Sequence, residues 1–537
     1  MLTKAAVLPR AVLLISFIFL AHLVLATGSA QAQVTAFKQA IAEAAAKDRD
    51  LAAFYQDNDF SGIWTGDSAA DKARRVALFD AMRRAEDHGL PAARYDADAL
   101  LAQLKAARSA RDLGLADVAL SRVFLRLARD MQTGALVPGQ VDDGIKRQVP
   151  YRERASYLNS FVQSNPAAFF RALPPQSNEY ARLMKEKLRL EQLADRGGWG
   201  PTVPSESVKP GQSGAAVTAL RNRLVAMGFL ERSATQVYDE EMLHAVQRFQ
   251  VAHGLTADGV AGPGTIAEIN IPVQERLKSV MVAMERERWL NMPLGERHIL
   301  VNLTDFHARI IDGDAVSFET RVVIGKNTGD RRSPEFSDEM DHMVINPTWH
   351  VPRSIAVKEY LPKMKRNPNA VSHLRLYNSR GQQVSRGAVN FAAYNASNFP
   401  FSIKQPPSQS NALGLVKFMF PNKYNIYLHD TPAKDLFSRE VRAYSHGCVR
   451  VHKPFELAYA LLSKQENDPK RTFHSILDTG RETRVNLVQP VPVHIIYRTA
   501  FTQAKGPMQY RRDVYGRDAR IWDALDKAGV SLRAVQG

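Results

Sequence analysis

The chain has 537 residues, of which 45% are hydrophobic and 23% charged, with a formal net charge of +16 and one cysteine. That length exceeds what one hydrophobic core usually serves and points to about three domains. The balance of apolar and charged residues excludes a long disordered chain, and the positive excess favours anionic partners, the plainer alternative being solubility.

The N-terminus reads as an export signal. Lys4 and Arg10 precede an apolar run, Ala11–Ala26, broken only by Ser16 and His22. Ala30-x-Ala32 then offers a small-residue cleavage site before Gln33, so residues 1–32 are assigned to a signal peptide. The run is short of the roughly 20 apolar residues that span a bilayer, although an uncleaved membrane anchor is the alternative. The expected location is the periplasm or cell envelope. Nucleic acid is therefore excluded as a partner, whereas an anionic cell wall or lipid surface fits.

Residues 33–205 read as a helical scaffold. Val34–Asp48, Ala70–Asp87 and Asp117–Met131 carry apolar residues three or four apart; Asn165–Leu173 breaks the pattern and Tyr180–Arg196 resumes it. No catalytic cluster is seen there. A Gly- and Pro-rich stretch from Gly197 to Gly211 marks a boundary. A compact unit follows, assigned to 206–272. Its first helix, Ala215–Met227, places Val217, Leu220 and Leu224 on one face before Gly228, a natural C-cap. Asp239 caps a second helix bearing Met242, Val246 and Phe249, and a short third helix starts at Pro263. Gln274–Trp289 is one more helix.

From about Arg297 the apolar period changes from 3.6 to 2. Candidate strands are His298–Leu303, Ala308–Asp312, Phe318–Ile324, His342–Asn346, Leu415–Phe420, Asn425–His429, Cys448–His452 and Arg484–Tyr497. Pro490 and Pro492 should break or bulge the last of these. Residues 353–410, rich in Asn, Ser, Pro and Lys, are too long for a plain loop and read as a lid or small insertion.

The only thiol, Cys448, cannot form an internal disulfide. By count alone it would be an inert buried thiol, but its neighbours reverse that reading. His446 lies two positions upstream, and His429 ends the preceding candidate strand. Acyl transfer by cysteine needs an imidazole to take the thiol proton, a third group to fix its tautomer, and backbone N–H groups for the oxyanion. Gly447, lacking Cβ, permits close approach to the backbone. His446 and Cys448 would share a strand face yet stand apart, whereas His429 could meet the thiol from an adjacent strand. Geometry thus favours His429 and leaves His446 open. Asp430 directly follows His429, so its carboxylate should point to the opposite face. Histidine 452 reads as structural.

Ser445-His446-Gly447-Cys448-Val449-Arg450, with His429-Asp430-Thr431 upstream, resembles the signature of the L,D-transpeptidase (YkuD-type) catalytic domain. Asn346–Pro352 and Asn411–Phe418 match in outline. The likeness is to the large multi-domain periplasmic (YcbB-like) branch. Arg129–Gly134 resembles its scaffold, and Ala245–Gln250 with Asp258–Gly262 its peptidoglycan-binding module. The resemblance implies a multi-domain α+β protein. It would have the signal peptide and scaffold given above, a three-helix peptidoglycan-binding domain (206–272), a mostly-β catalytic domain (295–500) with a capping insertion (353–410), and a C-terminal extension (501–537). It implies Cys448 as nucleophile, His429 as base, His446 as support, and backbone N–H groups at Gly447 and Cys448 as oxyanion hole. Arg450 is expected to hold a substrate carboxylate or to form a structural ion pair. Tyr427, Trp349 and Phe420 are expected in the stem-peptide groove, core packing being the alternative for each. The implied partners are peptidoglycan stem peptides and glycan, together with other cell-wall synthesis proteins. No cofactor or metal is implied, and no metal-ligand cluster is visible.

Overall fold

The computed structural model describes residues 34–503 and 505–532. The assigned signal peptide lies outside them. Among the described residues no helix is long and apolar enough to cross a membrane.

The N-terminal region is a helical bundle around a core that includes Trp64, Phe124, Phe161 and Phe170. Its longest helix, Ala110–Thr133, opens with a reciprocal Ser109–Asp112 capping box. Within that helix Asp117 is fully buried yet satisfied: its carboxylate accepts from the amides of Ile63, Trp64 and Thr65 and from the Tyr55 hydroxyl. Asn165–Leu173, read as a break, is in fact a short helix, Pro166–Ala172, capped by Asn165. Proline at its first position fits the helix start, where its missing N–H has no partner to lose.

The next unit packs Ala215–Ala226, Glu240–Ala252 and Pro263–Ile269 around Leu220, Leu224, Val246 and Phe249. Asp239 caps the second helix through the Met242 amide. Helix Val273–Trp289 then crosses to the β region with thirteen of its residues buried.

That region contains β1 (Arg297–Asn302), β2 (His307–Asp312), β3 (Ala315–Gly325), β4 (Phe336–Ile345), β5 (Trp349–His350), β6 (Arg375–Tyr377), β7 (Gln383–Val384), β8 (Ser402–Gln405), β9 (Val416–Met419), β10 (Leu428–His429), β11 (Ala443–Ser445), β12 (Val449–Val451), β13 (Thr483–Ile496), β14 (Ala500–Phe501) and β15 (Gln509–Tyr510). The main sheet runs β11-β3-β12-β10-β9-β4-β13-β1-β2, and β2 also pairs with β3, so the sheet closes on itself. Closure leaves only the short strand β11 as an edge, paired with β3 alone. Helices Pro454–Leu462 and Pro469–Leu477 cover it, contributing Leu457, Leu461 and Phe473 to the core. The two prolines of β13 do not break it: Pro490 falls in a register shift between Asn486 and Val491, a bulge of the kind that accommodates Pro, and Pro492 lies just beyond it opposite Glu339.

The insertion is a small folded unit. Strands β5-β8-β6-β7 form a separate sheet over a core of Leu361, Met364, Leu376, Phe391 and Ile403. The architecture is multi-domain α+β.

Candidate active site

Strands β10 and β12 lie side by side and parallel, with Leu428 opposite Val449 and His429 opposite Arg450. Side chains alternate along strands, so His429 and Arg450 share a face, and Tyr427 and Cys448, one step before that register, lie toward the same face. Cys448 itself precedes β12, on a bend after β11. Gly447 makes the bend possible with φ +117°, a conformation that L side chains rarely adopt.

A set of hydroxyls anchors the bend. Ser445 Oγ donates to the Cys448 carbonyl at 2.5 Å and accepts from the Gly447 amide at 3.1 Å. Ser333 Oγ donates to the Gly447 carbonyl at 2.6 Å and accepts from the Gly325 amide at 2.9 Å. Tyr515, from the C-terminal segment, donates to the Gly325 carbonyl at 2.5 Å. The Gly447 amide, expected in the oxyanion hole, is thus turned inward and committed to Ser445. Among the described residues the amides of His446 and Cys448 carry no hydrogen bond.

His429 is buried, and its Nδ1 lies 2.5 Å from the Asp430 carbonyl oxygen. A carbonyl only accepts, so Nδ1 carries the proton and Nε2 presents a lone pair. The Asp430 carboxylate points elsewhere, to the Leu415 and Thr431 amides and Lys434. Burial, with the Arg450 charge second, pushes the His429 imidazole down to about 3. Burial also pushes the Cys448 thiol up to about 11, against the opposing pull of Tyr427 and Arg450. The resting pair is therefore neutral thiol and neutral imidazole. The thiol donates toward the Asn425 carbonyl at 3.4 Å. Asn425 has φ +55°, one of few non-glycine residues in the left-handed region. Backbone strain of this kind concentrates at functional sites.

The thiol opens on a cleft of about 730 Å³ between the closed sheet and the insertion. Tyr427, Trp349, Arg450 and His446 line it together with Cys448 and His429. Trp349 belongs equally to the core of the insertion. Phe420 does not reach the cleft: it is fully buried in the sheet core, its ring 6.0 Å from that of Phe336. The strand pattern of apolar residues could not tell which aromatic faced the groove.

Two contributors escaped sequence reasoning. Glu359, on a single π-turn of the insertion (Ala356–Tyr360), bonds His446 Nε2 and Arg331 Nη2, each at 2.7 Å. Lys417 of β9 lines the cleft, and burial lowers its pKa. Neither Lys417 nor Arg450 has an ion pair or hydrogen bond from its side chain among the described residues; Glu482 acts on Lys417 only through space, against the larger effect of burial. Both cleft carboxylates are matched, Glu359 as above and Asp330 by Lys358. The cleft therefore presents unmatched positive charge. No group of His, Cys, Asp and Glu that could hold a metal occurs among the described residues.

A thiol and an imidazole with fixed tautomer, set on neighbouring strands beside two free amides, define a cysteine-centred site on a closed β-sheet. Residues 296–495 match the family model described as "L,D-transpeptidase catalytic domain". Residues 213–269 match "Putative peptidoglycan binding domain" and residues 49–186 match "Scaffold domain". The chain carries an L,D-transpeptidase catalytic domain of YkuD type, joined to a peptidoglycan-binding domain and a helical scaffold. A Haemophilus influenzae protein named "Putative L,D-transpeptidase" is 32% identical over 255 residues, covering 46% of this chain and 51% of that protein. The chain thus spans about half the length of that relative. Solved L,D-transpeptidase structures from Xylanimonas cellulosilytica and Stackebrandtia nassauensis are each 15% identical. Each alignment covers 55% of this chain, with 100% and 97% of those chains and TM-scores of 0.17 and 0.22. At those scores the likeness says nothing about the arrangement of this chain.

Proposed function

We propose that the protein is an exported L,D-transpeptidase of the cell envelope that forms 3–3 cross-links in peptidoglycan through a Cys448 thioester. The observation that carries this reading is the pair of neighbouring strands that sets His429, Nδ1 tied to a carbonyl, on the face from which Cys448 opens into the cleft. The site lies within the matched catalytic domain.

In this mechanism His429 Nε2 takes the thiol proton as Sγ attacks the carbonyl at the L-centre of meso-diaminopimelate in a tetrapeptide stem. The amides of Cys448 and His446 stabilise the oxyanion. The intermediate collapses to a thioester, and His429 returns its proton to the departing D-alanine amine. The side-chain amine of a second stem then attacks the thioester and Cys448 leaves as a thiol. Both resting groups are neutral, so proton transfer accompanies attack and does not precede it. Arg450 and Lys417 are the unmatched cations for stem-peptide carboxylates, Arg450 through a bidentate contact. Trp349 and Tyr427 form walls of the groove. The helical module and the scaffold are read as wall-binding and partner-docking units.

The test is the intact mass of the mature protein after exposure to a carbapenem, beside Cys448→Ala, followed by incubation with purified muropeptides. One drug adduct on the wild type alone, and a dimer lost in Cys448→Ala, are expected. A folded wild type that takes no adduct and leaves tetrapeptides intact would sink the enzymatic reading. Release of D-alanine without dimer would make water the acceptor and the protein an L,D-carboxypeptidase; dimer would need to be replaced by a protein adduct for the wall-attachment alternative.

A further inference from the structure

The insertion concentrates the charge of the protein. Residues 353–410 hold nine lysines and arginines and a single acid, Glu359, an excess of eight against +16 for the whole chain. Glu359 is taken by Arg331 and His446, and Lys358 is matched by Asp330. Arg353 and Arg386 donate to backbone carbonyls of the insertion itself. The other six cations have no carboxylate partner among the described residues.

Two of the six stand face to face. Arg375 of β6 lies opposite Lys404 of β8, and Lys404 lies opposite His350 of β5. Leu376 and Ile403, their chain neighbours, enter the core of the insertion. Alternation along the strands therefore turns Arg375, Lys404 and, by register, His350 to the outward face. Arg375 and His350 are exposed. Tyr377 shares that face, its ring centre 4.8 Å from the Lys404 ammonium. Like charges directly opposite on neighbouring strands repel each other. Held side by side without an acid, they mark a place where an anion belongs.

The row runs into the cleft at Cys448. His350 lines that cleft with Lys417 and Arg450. Lys417 and Arg450 flank His429 in the register of β9, β10 and β12. Burial, then the charges of Lys404 and Lys417, lower the His350 pKa, with Glu482 opposing. His350 is thus uncharged at neutral pH and within electrostatic reach of a lysine on each sheet. Neighbouring strands lie about 4.8 Å apart, so the row extends about 10 Å beyond the cleft edge, the length of about three extended peptide residues.

We propose that this outward face is the acceptor subsite: it takes the carboxylates of the second stem peptide, whose amine resolves the Cys448 thioester. The identity of the acceptor rests on the transpeptidase reading above. The attacking amine of diaminopimelate sits on a carbon that also bears a carboxylate. Delivering it to the thioester brings a negative charge, which the Lys417–Lys404 end of the row pairs. Pairing that charge also favours the free amine over the ammonium. The nitrogen bonds the acyl carbon, the C–S bond breaks, and the amine proton passes through His429 to the departing sulfur. Water and a protein lysine carry no such carboxylate, so the row discriminates in favour of a stem. Continuity with the cleft favours a peptide over an anionic bilayer.

The experiment uses the mature full-length protein with purified tetrapeptide muropeptides, beside Lys404→Gln, Arg375→Gln and the double variant. Both side chains point outward, so neither change opens the core. The ratio of dimer to hydrolysed tripeptide should fall by at least about tenfold in the double variant and by less in each single one. Carbapenem acylation of Cys448 involves no acceptor and should change by no more than about twofold, the size of a distant surface charge effect. Added salt should lower the dimer ratio of the wild type and leave that of the double variant unmoved. An unchanged dimer ratio in the double variant would overturn the proposal. So would acylation slowed as much as dimer formation, which would assign the row to the donor stem. Loss of binding to phosphatidylglycerol vesicles with the dimer ratio intact would make the face a membrane contact instead. A wild type that takes no acyl group at all sinks the catalytic reading and the subsite with it, whereas normal acylation with a dimer ratio blind to both cations sinks the subsite alone.

Discussion

Two regions bury charge in opposite ways. Helix Val273–Trp289 carries four consecutive charged residues, Glu285, Arg286, Glu287 and Arg288, all at most 5% exposed. Successive residues point about 100° apart around a helix, so each reaches a different neighbour. Arg288 bonds Glu285 at 2.7 Å and, with it, faces the scaffold: Arg288 donates to the His88 carbonyl and Glu285 accepts from the Leu136 amide. Arg286 bonds Glu335 and Asp518, each at 2.7 Å, joining the catalytic sheet to the C-terminal helix. Glu287 takes Arg498 after β13. Here every charge is matched. In the cleft, Arg450 and Lys417 are partly buried with no acid bonded to them. The lesson is that full pairing marks the joints of the molecule, and its absence marks the surface kept for a ligand.

Breaking a joint should have the largest effect. Arg286→Ala strands the buried Asp518, whose one ion pair among the described residues it removes, and leaves Glu335 with Arg517 alone; it should destabilise the protein by about 3–5 kcal/mol in denaturant titration. Arg450→Ala should cost far less, because no partner is stranded. Equal losses would erase the distinction between the two regions.

The thiol tests the cleft from another side. With Cys448 held at about 11, the thiolate fraction at neutral pH is on the order of 10⁻⁴ and grows about tenfold per pH unit. Alkylation by iodoacetamide should therefore climb steadily, roughly a thousandfold, between pH 6 and 9. A plateau below pH 8 would instead reveal a preformed thiolate–imidazolium pair.

Histidines occur in both regions and respond alike. Burial lowers His88 to about 4, with Arg288 the second cause, and His429 to about 3, with Arg450 the second cause. Each folded value lies below the unfolded value near 6.5, so the unfolded chain binds protons first. Stability is fully present above about pH 6.5 and is lost as pH falls through the window toward 4 and then 3. Melting temperature should drop progressively between pH 6.5 and 4, and a flat profile would show that neither imidazole is held neutral.

What the sequence disclosed follows the same division. Cys448, His429 and the module helices were legible because they rest on local signals: a short motif, N-caps, a 3.6 period. The Glu285–Arg288 run was read only as part of a linking helix, because a charge run in isolation is indistinguishable from a solvated face. Its partners Glu335, Arg498 and Asp518 lie 49 to 232 positions away. The unbonded state of Lys417 was equally hidden, since absence of a partner is a property of packing. Phe420 shows the limit of alternation: the pattern says that an aromatic lies on a strand, and closure of the sheet decides which face is core.

The smallest expected effect concerns the seam between the insertion and the Cys448 bend. Glu359 joins His446 of the Gly447 bend to Arg331 through one carboxylate oxygen, from a π-turn that belongs to the insertion. Single π-turns are frequent at functional sites because they displace one residue out of helical register. The contact is partly open to water, its side chain 28% exposed, so its worth is about 1 kcal/mol or less and not that of a buried joint. Glu359→Gln keeps the shape and loses the charge. Carbapenem acylation of Cys448 should then slow by no more than about tenfold, with melting temperature nearly unchanged, because the bend keeps its anchors at Ser445 and Ser333. Glu359→Ala should slow it further in the same direction. If both variants acylate at the wild-type rate, His446 needs no tether from the cap, and the cleft is held by the sheet alone.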